Sequence, residues 1–245
     1  MAPPRFFVSV ELTPTSVGQT IELPAAAAHH AIRVVRLAVG DALTLFNGTG
    51  GEYAATLARA ERNDVHVHIE SFDPVERESP LLVTLAQAIA ANDAMDYALR
   101  KAVELGATSI QPLVTERSAP LPSGERGDKR LAHWKGIAVA ACEQCGRNRI
   151  PRIAVPAPWS DWLAAWKGSG IVLVPGAAMS LATLSPPTSP IALAIGPEGG
   201  FAEREIDAAR NAGFRAVSFG PRVLRTETAA VAALAAMQAL WGDLQ

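Results

Sequence analysis

The sequence has few cysteines, and their scarcity excludes some classes of protein. Only Cys142 and Cys145 are found among 245 residues, so the chain lacks the disulfide framework that stabilises small secreted domains. A structural zinc site needs four ligands, and no second cysteine or histidine pair at ligand spacing accompanies Cys142-x-x-Cys145. His66 and His68 share one face of a predicted strand, but no carboxylate at ligand spacing accompanies them. We therefore expect two reduced thiols in a helix and no bound metal.

The chain also lacks an excess of positive charge and a long apolar run. Its 22 Lys and Arg residues are outnumbered by 24 Asp and Glu residues, so any nucleic-acid partner must be held by a local basic patch. The longest apolar stretch, residues 228–241, is interrupted by Gln238, which is typical of a buried helix rather than a membrane span. The apolar run at 6–10 meets Glu11 at once and is too short for a signal peptide. These features predict a soluble, cytoplasmic protein with no membrane partner.

The first part of the chain has the pattern of a small β-rich domain. Short segments of strand-forming residues are found at 6–12, 42–46, 52–59 and 65–70. The polar stretches 47–51 and 61–64 suit hairpin connections between them. A helical segment at about 25–37 places Arg33 and Arg36 close together on its surface. Several closely spaced short strands predict a small β-barrel over residues 1–73.

The pattern changes after residues 74–80, PVERESP. This segment is charged and bounded by prolines, as interdomain linkers often are. Beyond it, strand and helix patterns alternate, which predicts an α/β domain over residues 81–245. The predicted strands lie at 81–88, 109–114 and 171–174, and the predicted helices at 92–106, 129–145 and 160–167.

Near the C-terminus, two predicted strands in succession end in a Gly-Pro turn. The apolar run 191–195 stops at Gly196-Pro197, and the run 214–219 stops at Gly220-Pro221. Such junctions mark the carboxyl edge of a sheet, where open α/β proteins bind ligands. A phosphate cradle needs successive N–H donors and no negative charge, but Pro197 removes a donor and Glu198 adds a carboxylate. The pattern therefore indicates a neutral or cationic ligand.

The residues around these junctions resemble the paired cofactor-loop motifs of the SPOUT methyltransferases. The motifs are GPEGGF and FGPRVLRTETAAVAAL, supported upstream by RKAVELGATSIQPLVTERS at 100–118 and AVAACEQCGR at 138–147. They are similar in particular to the family that methylates N3 of a uridine in bacterial small-subunit ribosomal RNA. The resemblance extends from Arg5 to the C-terminus. It implies a trefoil-knotted α/β methyltransferase domain that acts as a homodimer, preceded by a PUA-like β-barrel that binds RNA.

The resemblance also implies S-adenosylmethionine as the cofactor, bound in the knot. The residues expected to bind it are Val174, Pro175, Ile195, Gly196, Gly199, Gly200, Phe219, Gly220 and Leu224.

For the chemistry, uridine N3 must lose a proton, and the resulting negative charge spreads onto the flanking carbonyl oxygens. A guanidinium beside the base would stabilise that charge, and Arg225 and Arg147 are the candidates. Glu198 or Glu227 is the candidate to receive the proton. The basic residues that we expect to contact RNA phosphates are Arg33, Arg36, Arg117, Lys129, Arg149 and Arg152.

Three other functions remain open from the sequence. One is a SPOUT methyltransferase that acts on transfer RNA or on a ribose 2′-hydroxyl. A non-catalytic RNA-binding assembly factor is another alternative, although the intact cofactor motifs speak against it. An enzyme that binds nucleotide phosphates is disfavoured by Pro197 and Glu198. The sequence does not decide between free ribosomal RNA and the assembled subunit as the substrate.

Overall fold

The computed structural model describes residues 2–61, 64–120 and 124–244. They form two compact units, Met1–Glu78 with Cys142–Ile150, and Ser79–Ala141 with Pro151–Gln245. The sequence placed the whole of 81–245 in one domain, whereas the structure counts Cys142–Ile150 with the first unit. The backbone N–H of Phe7 donates to Glu143 Oε1 over 3.0 Å, and Arg5 Nη2 donates to Asn148 Oδ1 over 2.6 Å. These long-range hydrogen bonds hold the segment within the first unit.

The first unit is built on one five-stranded sheet. Its elements are β1 (Arg5–Phe7), β2 (Thr20–Glu22), α1 (Ala25–His29), a π-helical turn (His30–Val35), β3 (Ala42–Phe46), β4 (Glu52–Glu61) and β5 (Asp64–Asp73). The strand order is β1-β3-β4-β5-β2, and among the described strands of this sheet only β1 and β3 pair in parallel. Alternate residues of β4 and β5 are buried, because successive side chains of a strand point to opposite faces.

Two features of this unit differ from the sequence pattern. The first strand is shorter than the predicted 6–12, and β2 was not predicted because three residues give too little alternation to detect. Of the predicted 61–64 connection, residues 62 and 63 lie outside the described residues. The predicted helix at 25–37 is an α-helix that widens into a π-turn and ends at Arg36, whose φ of 65° is left-handed.

The second unit alternates strands and helices as predicted. Its elements are β6 (Val83–Ala88), α2 (Asn92–Glu104), β7 (Ser109–Val114), α3 (Glu125–Cys145), β8 (Arg152–Ile153), β9 (Ala157–Pro158), α4 (Trp159–Ala165), β10 (Ser169–Leu173), β11 (Met179–Ser180), β12 (Ile191–Ile195), α5 (Glu203–Asn211), β13 (Arg215–Ser218) and α6 (Thr226–Trp241). The last turn of α3 is the part of this helix that belongs to the first unit.

The strands of the second unit form a parallel sheet. Their order is β11-β13-β10-β12-β6-β7-β8, and β9 also pairs with β7. Every residue of β6 and β12 is buried, as expected for central strands of a parallel sheet that is covered on both faces. The predicted fold class, an α/β domain after a small β-rich domain, is confirmed. The trefoil knot that the resemblance implies stays a prediction.

The apolar stretch at 228–241 lies within α6, as the sequence indicated. Ala230, Ala233, Leu234 and Met237 are buried along one side of this helix. Among the described residues, no helix combines the length and the apolar character that crossing a membrane requires.

Candidate active site

Three loops meet at the carboxyl ends of β10, β12 and β13. These strands are neighbours in the order β13-β10-β12 and all run in parallel, so the loops that leave them emerge at the same edge of the sheet. The first loop begins at Val174-Pro175. The second carries the GPEGG sequence from Gly196, and the third begins at Phe219-Gly220. Neighbouring parallel strands thus bring together segments that are far apart in the sequence.

A cavity of about 340 Å³ lies between these loops. All nine residues that the resemblance assigned to the cofactor line it: Val174, Pro175, Ile195, Gly196, Gly199, Gly200, Phe219, Gly220 and Leu224. The other lining residues are Leu173, Pro197, Glu198, Phe201, Ile206, Val217, Arg222, Val223, Thr226 and Ala229.

The apolar floor of the cavity was mostly missed in the sequence. Phe201 and Ile206 are buried where α5 begins, and Val217 is buried in β13. Phe201 is part of the GPEGGF motif, and that was the available signal. The Trp159 ring lies 5.0 Å from the Phe201 ring, centroid to centroid, and supports it from the side of α4.

The GPEGG loop is closed by its own backbone. The N–H of Gly200 donates to the carbonyl of Pro197 over 2.8 Å, and Gly200 has a φ of 68°, a conformation that favours glycine. A β-carbon on Gly196 would lie 3.0 Å from the backbone nitrogen of Phe201. The absence of a side chain at Gly196 is therefore required by the loop itself, before any ligand is considered.

Thr226 ties the two C-terminal loops together. Arg225 is the N-cap of α6, and Thr226 is its first helical residue. The buried Thr226 hydroxyl donates to the carbonyl of Gly196 over 2.6 Å and accepts from Gln87 Nε2 over 2.9 Å. Gln87 is fully buried in β6. This chain of hydrogen bonds fixes the start of the GPEGG loop against the start of α6.

An open depression adjoins the cavity and brings three of the four candidate catalytic residues together. Its lining residues are Ala91, Asp93, Ala94, Tyr97, Glu198, Val223, Leu224, Arg225, Glu227 and Thr228. Glu198, Val223 and Leu224 line both the depression and the cavity. Glu198 Oε1 accepts a hydrogen bond of 2.9 Å from the N–H of Ala91. Arg225 is exposed, and among the described residues it forms no ion pair.

Arg147, the fourth candidate, lies in the first unit in a buried ion pair. Its side chain is 4% exposed, and its Nε donates to Glu78 Oε1 over 3.0 Å. Burial alone would lower the pKa of Arg147, but the hydrogen bonds and the charge of Glu78 outweigh it and raise the pKa. Breaking such a buried pair leaves an uncompensated charge. Arg147 therefore has a structural role in the first unit.

The predicted RNA contacts have different surroundings. Arg33 and Arg36 are exposed around the end of the π-turn, and Arg152 is exposed on β8. Arg149 lies 3.2 Å from Glu76, and Lys129 lies 2.7 Å from Glu125 one helical turn away. The Arg117 guanidinium donates to the carbonyl of Gly199 over 2.9 Å. Of these residues, Arg149 and Lys129 are thus paired with glutamates.

The two cysteines are free, and Cys142 is buried. Burial raises the pKa of the Cys142 thiol to about 12, so it stays protonated and unreactive at neutral pH. Over the part of the chain that the structure describes, no three His, Cys, Asp or Glu side chains are placed to hold a metal ion.

Comparison with known families agrees with this fold. The model of an RNA methyltransferase domain matches residues 77–238, more than half of the chain, and the model of an RNA methyltransferase PUA domain matches residues 23–70. The second unit, with its parallel sheet, therefore has the fold of an RNA methyltransferase domain. The β-rich first unit contains an RNA methyltransferase PUA domain.

Relatives that match along nearly the full length identify the family within this class of methyltransferases. The ribosomal RNA small subunit methyltransferase E of Buchnera aphidicola subsp. Schizaphis graminum is 33% identical, with 98% of each chain covered. The chain belongs to the family of ribosomal RNA small subunit methyltransferase E. The member from Bacillus subtilis is 26% identical, with 95% of each chain covered.

Two solved structures with a bound ligand are also similar over their whole length. A Legionella pneumophila protein in complex with the cofactor S-adenosylmethionine has a TM-score of 0.95 at 40% identity, with 100% of each chain covered. The ribosomal RNA small subunit methyltransferase E of Neisseria gonorrhoeae, bound to S-adenosylmethionine, has a TM-score of 0.92 at 39% identity, again with 100% of each chain covered.

Proposed function

We propose that this protein transfers a methyl group from S-adenosylmethionine to N3 of a uridine in small-subunit ribosomal RNA. Family membership supports the reaction class, the cofactor and the RNA. The choice of uridine N3 rests on one observation. The depression beside the cavity is lined by both the exposed Arg225 and Glu198, whose carboxylate is held by a hydrogen bond from Ala91.

The cavity fits the proposed cofactor. Its volume of about 340 Å³ falls in the range of roughly 300–1,000 Å³ that is usual for small-molecule sites. Its apolar floor suits an adenine ring, and its loop backbone offers hydrogen-bonding groups. Pro197 and Glu198 on its rim disfavour a phosphate but are compatible with a positive charge. When bound, S-adenosylmethionine supplies the methyl group from its positively charged sulfonium.

The depression suits the acceptor base. Three carboxylates, Asp93, Glu198 and Glu227, line it together with Arg225, so the local charge repels the phosphate backbone and favours a neutral base that presents a donor. Because the depression and the cavity share Glu198, Val223 and Leu224, a base held in the one would face a methyl donor held in the other. Positioning of this kind supplies much of the acceleration in group transfer.

Within the depression, we assign the proton transfer to Glu198. The N–H of Ala91 occupies its Oε1, and among the described residues none donates to Oε2, which is therefore left to accept the N3 proton. The electron pair that the broken N3–H bond leaves on N3 would form the new bond to the methyl carbon, while the bond from that carbon to the sulfonium sulfur would break and leave its electron pair on sulfur. Arg225 would stabilise the charge that develops on the uracil carbonyl oxygens. Glu227, half-buried at the start of α6, is the second candidate for the base.

We assign RNA binding to the first domain, residues 1–73, and catalysis to residues 81–245. The exposure of Arg33 and Arg36, and the left-handed backbone of Arg36, support the first assignment, because unusual backbone conformations often mark functional sites. We further propose that the protein is a homodimer in the cytoplasm, where its ribosomal RNA substrate is made. Sedimentation velocity on the purified protein tests the dimer.

The test of the proposed reaction is nucleoside mass spectrometry on ribosomal and transfer RNA from cells with and without this protein. We expect N3-methyluridine to disappear from small-subunit ribosomal RNA and to return when the gene is restored. A gene that encodes Glu198→Gln should not restore it. Loss of a 2′-O-methylated nucleoside instead, or a change confined to transfer RNA, would show that the acceptor is a different one. Comparing naked RNA with isolated small subunits in vitro then identifies the substrate form.

A further inference from the structure

We infer that Arg117 and Glu205 are positioning residues that hold the GPEGG loop in its cofactor-binding form. This inference rests on the proposed function, because the loop lines the cavity assigned to S-adenosylmethionine. It gives Arg117 a role different from the phosphate contact that its sequence context suggested.

Arg117 contacts the loop at its tip. Its Nη1 donates to the carbonyl of Gly199 over 2.9 Å. A β-carbon on Gly199 would lie 3.3 Å from Cβ and Cδ of Arg117, so the arginine side chain runs close along the glycine backbone. The tip of this loop has two glycines and therefore no side chains of its own to pack there. Its position depends on hydrogen bonds from outside the loop.

Glu205 connects the end of the loop to the segment that carries Arg117. It is 8% exposed, and its Oε2 accepts from the N–H of Ala202 over 2.9 Å. Its Oε1 accepts from the N–H of Glu116 over 2.9 Å. One buried carboxylate thus bridges the backbone where α5 begins and the backbone next to Arg117. Hydrogen bonds from backbone N–H groups to a charged acceptor are among the stronger ones in proteins.

The segment that carries Arg117 is held in place by three hydrogen bonds. The N–H of Thr115 donates to Ser118 Oγ over 3.1 Å, and Ser118 Oγ donates to the carbonyl of Thr115 over 3.0 Å. The N–H of Ala119 donates to the carbonyl of Ile89 over 2.8 Å. Because this turn is anchored on Ile89, directly after β6, and braced by Glu205, it presents the Arg117 guanidinium at a fixed place beside Gly199.

Because Arg117 is exposed, its effect on the position of the loop can be measured separately from its effect on the stability of the fold. Its side chain is exposed, so its removal leaves no buried group unpaired within the core and should cost the fold little. The Gly199 carbonyl, in contrast, loses the donor that holds the loop tip. Truncating Arg117 should therefore weaken cofactor binding while the melting temperature of the ligand-free protein stays nearly the same.

The experiment compares Arg117→Ala, Arg117→Lys and the control Arg204→Ala in the full-length protein. Arg204 is a matched control, because it is an exposed arginine in the same region, pairs with Glu116 and does not contact the loop carbonyls among the described residues. Binding of S-adenosylmethionine is measured by calorimetry, ligand-free stability by thermal melting, and RNA binding by filter retention on small-subunit ribosomal RNA.

We expect Arg117→Ala to raise the dissociation constant for S-adenosylmethionine on the order of tenfold, which corresponds to loss of one hydrogen bond from a charged donor. Arg117→Lys should recover part of the affinity because an ammonium can still donate, and Arg204→Ala should behave as the unmodified protein. Glu205→Gln should weaken binding too, and also lower the melting temperature, since its amide NH₂ faces a backbone N–H.

Three results would overturn the inference. One is an unchanged cofactor affinity in Arg117→Ala with weaker RNA binding, which is the behaviour of a phosphate contact. Another is no change in either affinity, and the third is a fall in ligand-free melting temperature that accounts for the lost cofactor affinity. If the unmodified protein itself fails to bind S-adenosylmethionine, the proposed function fails, which is a different result from binding that Arg117→Ala leaves intact.

Discussion

Replacing Thr226 by valine should loosen the connection between the two cofactor loops. Valine has nearly the shape of threonine, so the substitution removes the hydroxyl with little change in packing volume. The hydroxyl makes two buried hydrogen bonds, of 2.6 Å to the Gly196 carbonyl and 2.9 Å from Gln87 Nε2. After substitution the Gly196 carbonyl has lost this donor, while Gln87 Nε2 keeps its bond to the Ala88 carbonyl.

The expected cost follows from these contacts. A buried polar group that loses its partner costs about 1–3 kcal/mol. Here the Gly196 carbonyl loses its side-chain donor, and Gln87 Nε2 loses one of its two acceptors. We expect the free energy of unfolding to fall by about 2–3 kcal/mol. For a chain of this size that corresponds to a melting temperature lower by roughly 5–10 °C. The affinity for S-adenosylmethionine should fall further than stability alone explains, because Gly196 and Leu224 on the two loops both line the cavity.

Thermal melting without ligand and calorimetric titration with S-adenosylmethionine measure the two effects. Thr226→Ser keeps the hydroxyl and should retain most of both properties. Thr228→Val makes the same change at an exposed position of the same helix and should leave both close to normal. If Thr226→Val melts within about a degree of the unmodified protein and binds the cofactor equally well, the hydrogen bonds do not hold the loops together and the reasoning fails.

Three further predictions concern the catalytic arginine, the GPEGG loop and the first unit. Arg225→Lys should lower the single-turnover methylation rate by on the order of 10²- to 10³-fold with little change in cofactor affinity; a near-normal rate would remove Arg225 from the mechanism. S-adenosylmethionine should raise the melting temperature of the unmodified protein, whereas ATP and NAD should not, and Gly196→Val should abolish the effect because its β-carbon meets the Phe201 backbone. Burial alone would raise the pKa of Glu52, but hydrogen bonds and charge from Arg77 and Arg5 lower it from 4.5 to about 2. The stability that Glu52 gains from Arg77 and Arg5 is therefore present above pH 4.5 and lost as the pH falls towards 2, and it is on the order of 2 kcal/mol. The melting temperature of Glu52→Gln should depend less on pH in this window. A pH profile equal to that of the unmodified protein would contradict the role of Glu52.

The cofactor cavity was predictable because its signals are local. Each Gly-Pro junction follows directly on an apolar run, so the strand end and the loop are read from one continuous segment. The order of the strands then brings the loops together without further information. The same holds for Glu198, whose place in the GPEGG loop puts it on the rim of the cavity.

The contacts that support the loops could not be predicted in this way. Gln87 meets Thr226 across 139 positions and Arg117 meets Gly199 across 82, and no spacing rule links residues so far apart. A glutamine within the apolar run 83–88 was a signal of a buried hydrogen bond, but it did not identify the partner. From the sequence, Arg147 was a candidate for the guanidinium beside the acceptor base. The structure shows that Glu78, which lies in the predicted linker, neutralises it.

The return of Cys142–Ile150 to the first unit has a consequence for how the chain is made. The N–H of Phe7 and the side chain of Arg5 find partners in Glu143 and Asn148, which are translated much later. The first unit therefore stays incomplete until about 150 residues have been synthesised and the exit tunnel has released them. For the same reason, a protein shortened by residues 1–73 would keep Glu143 and Asn148 but lose the groups that they hold. A clean separation of the two units needs three cuts in the chain, before Ser79, Cys142 and Pro151, rather than one.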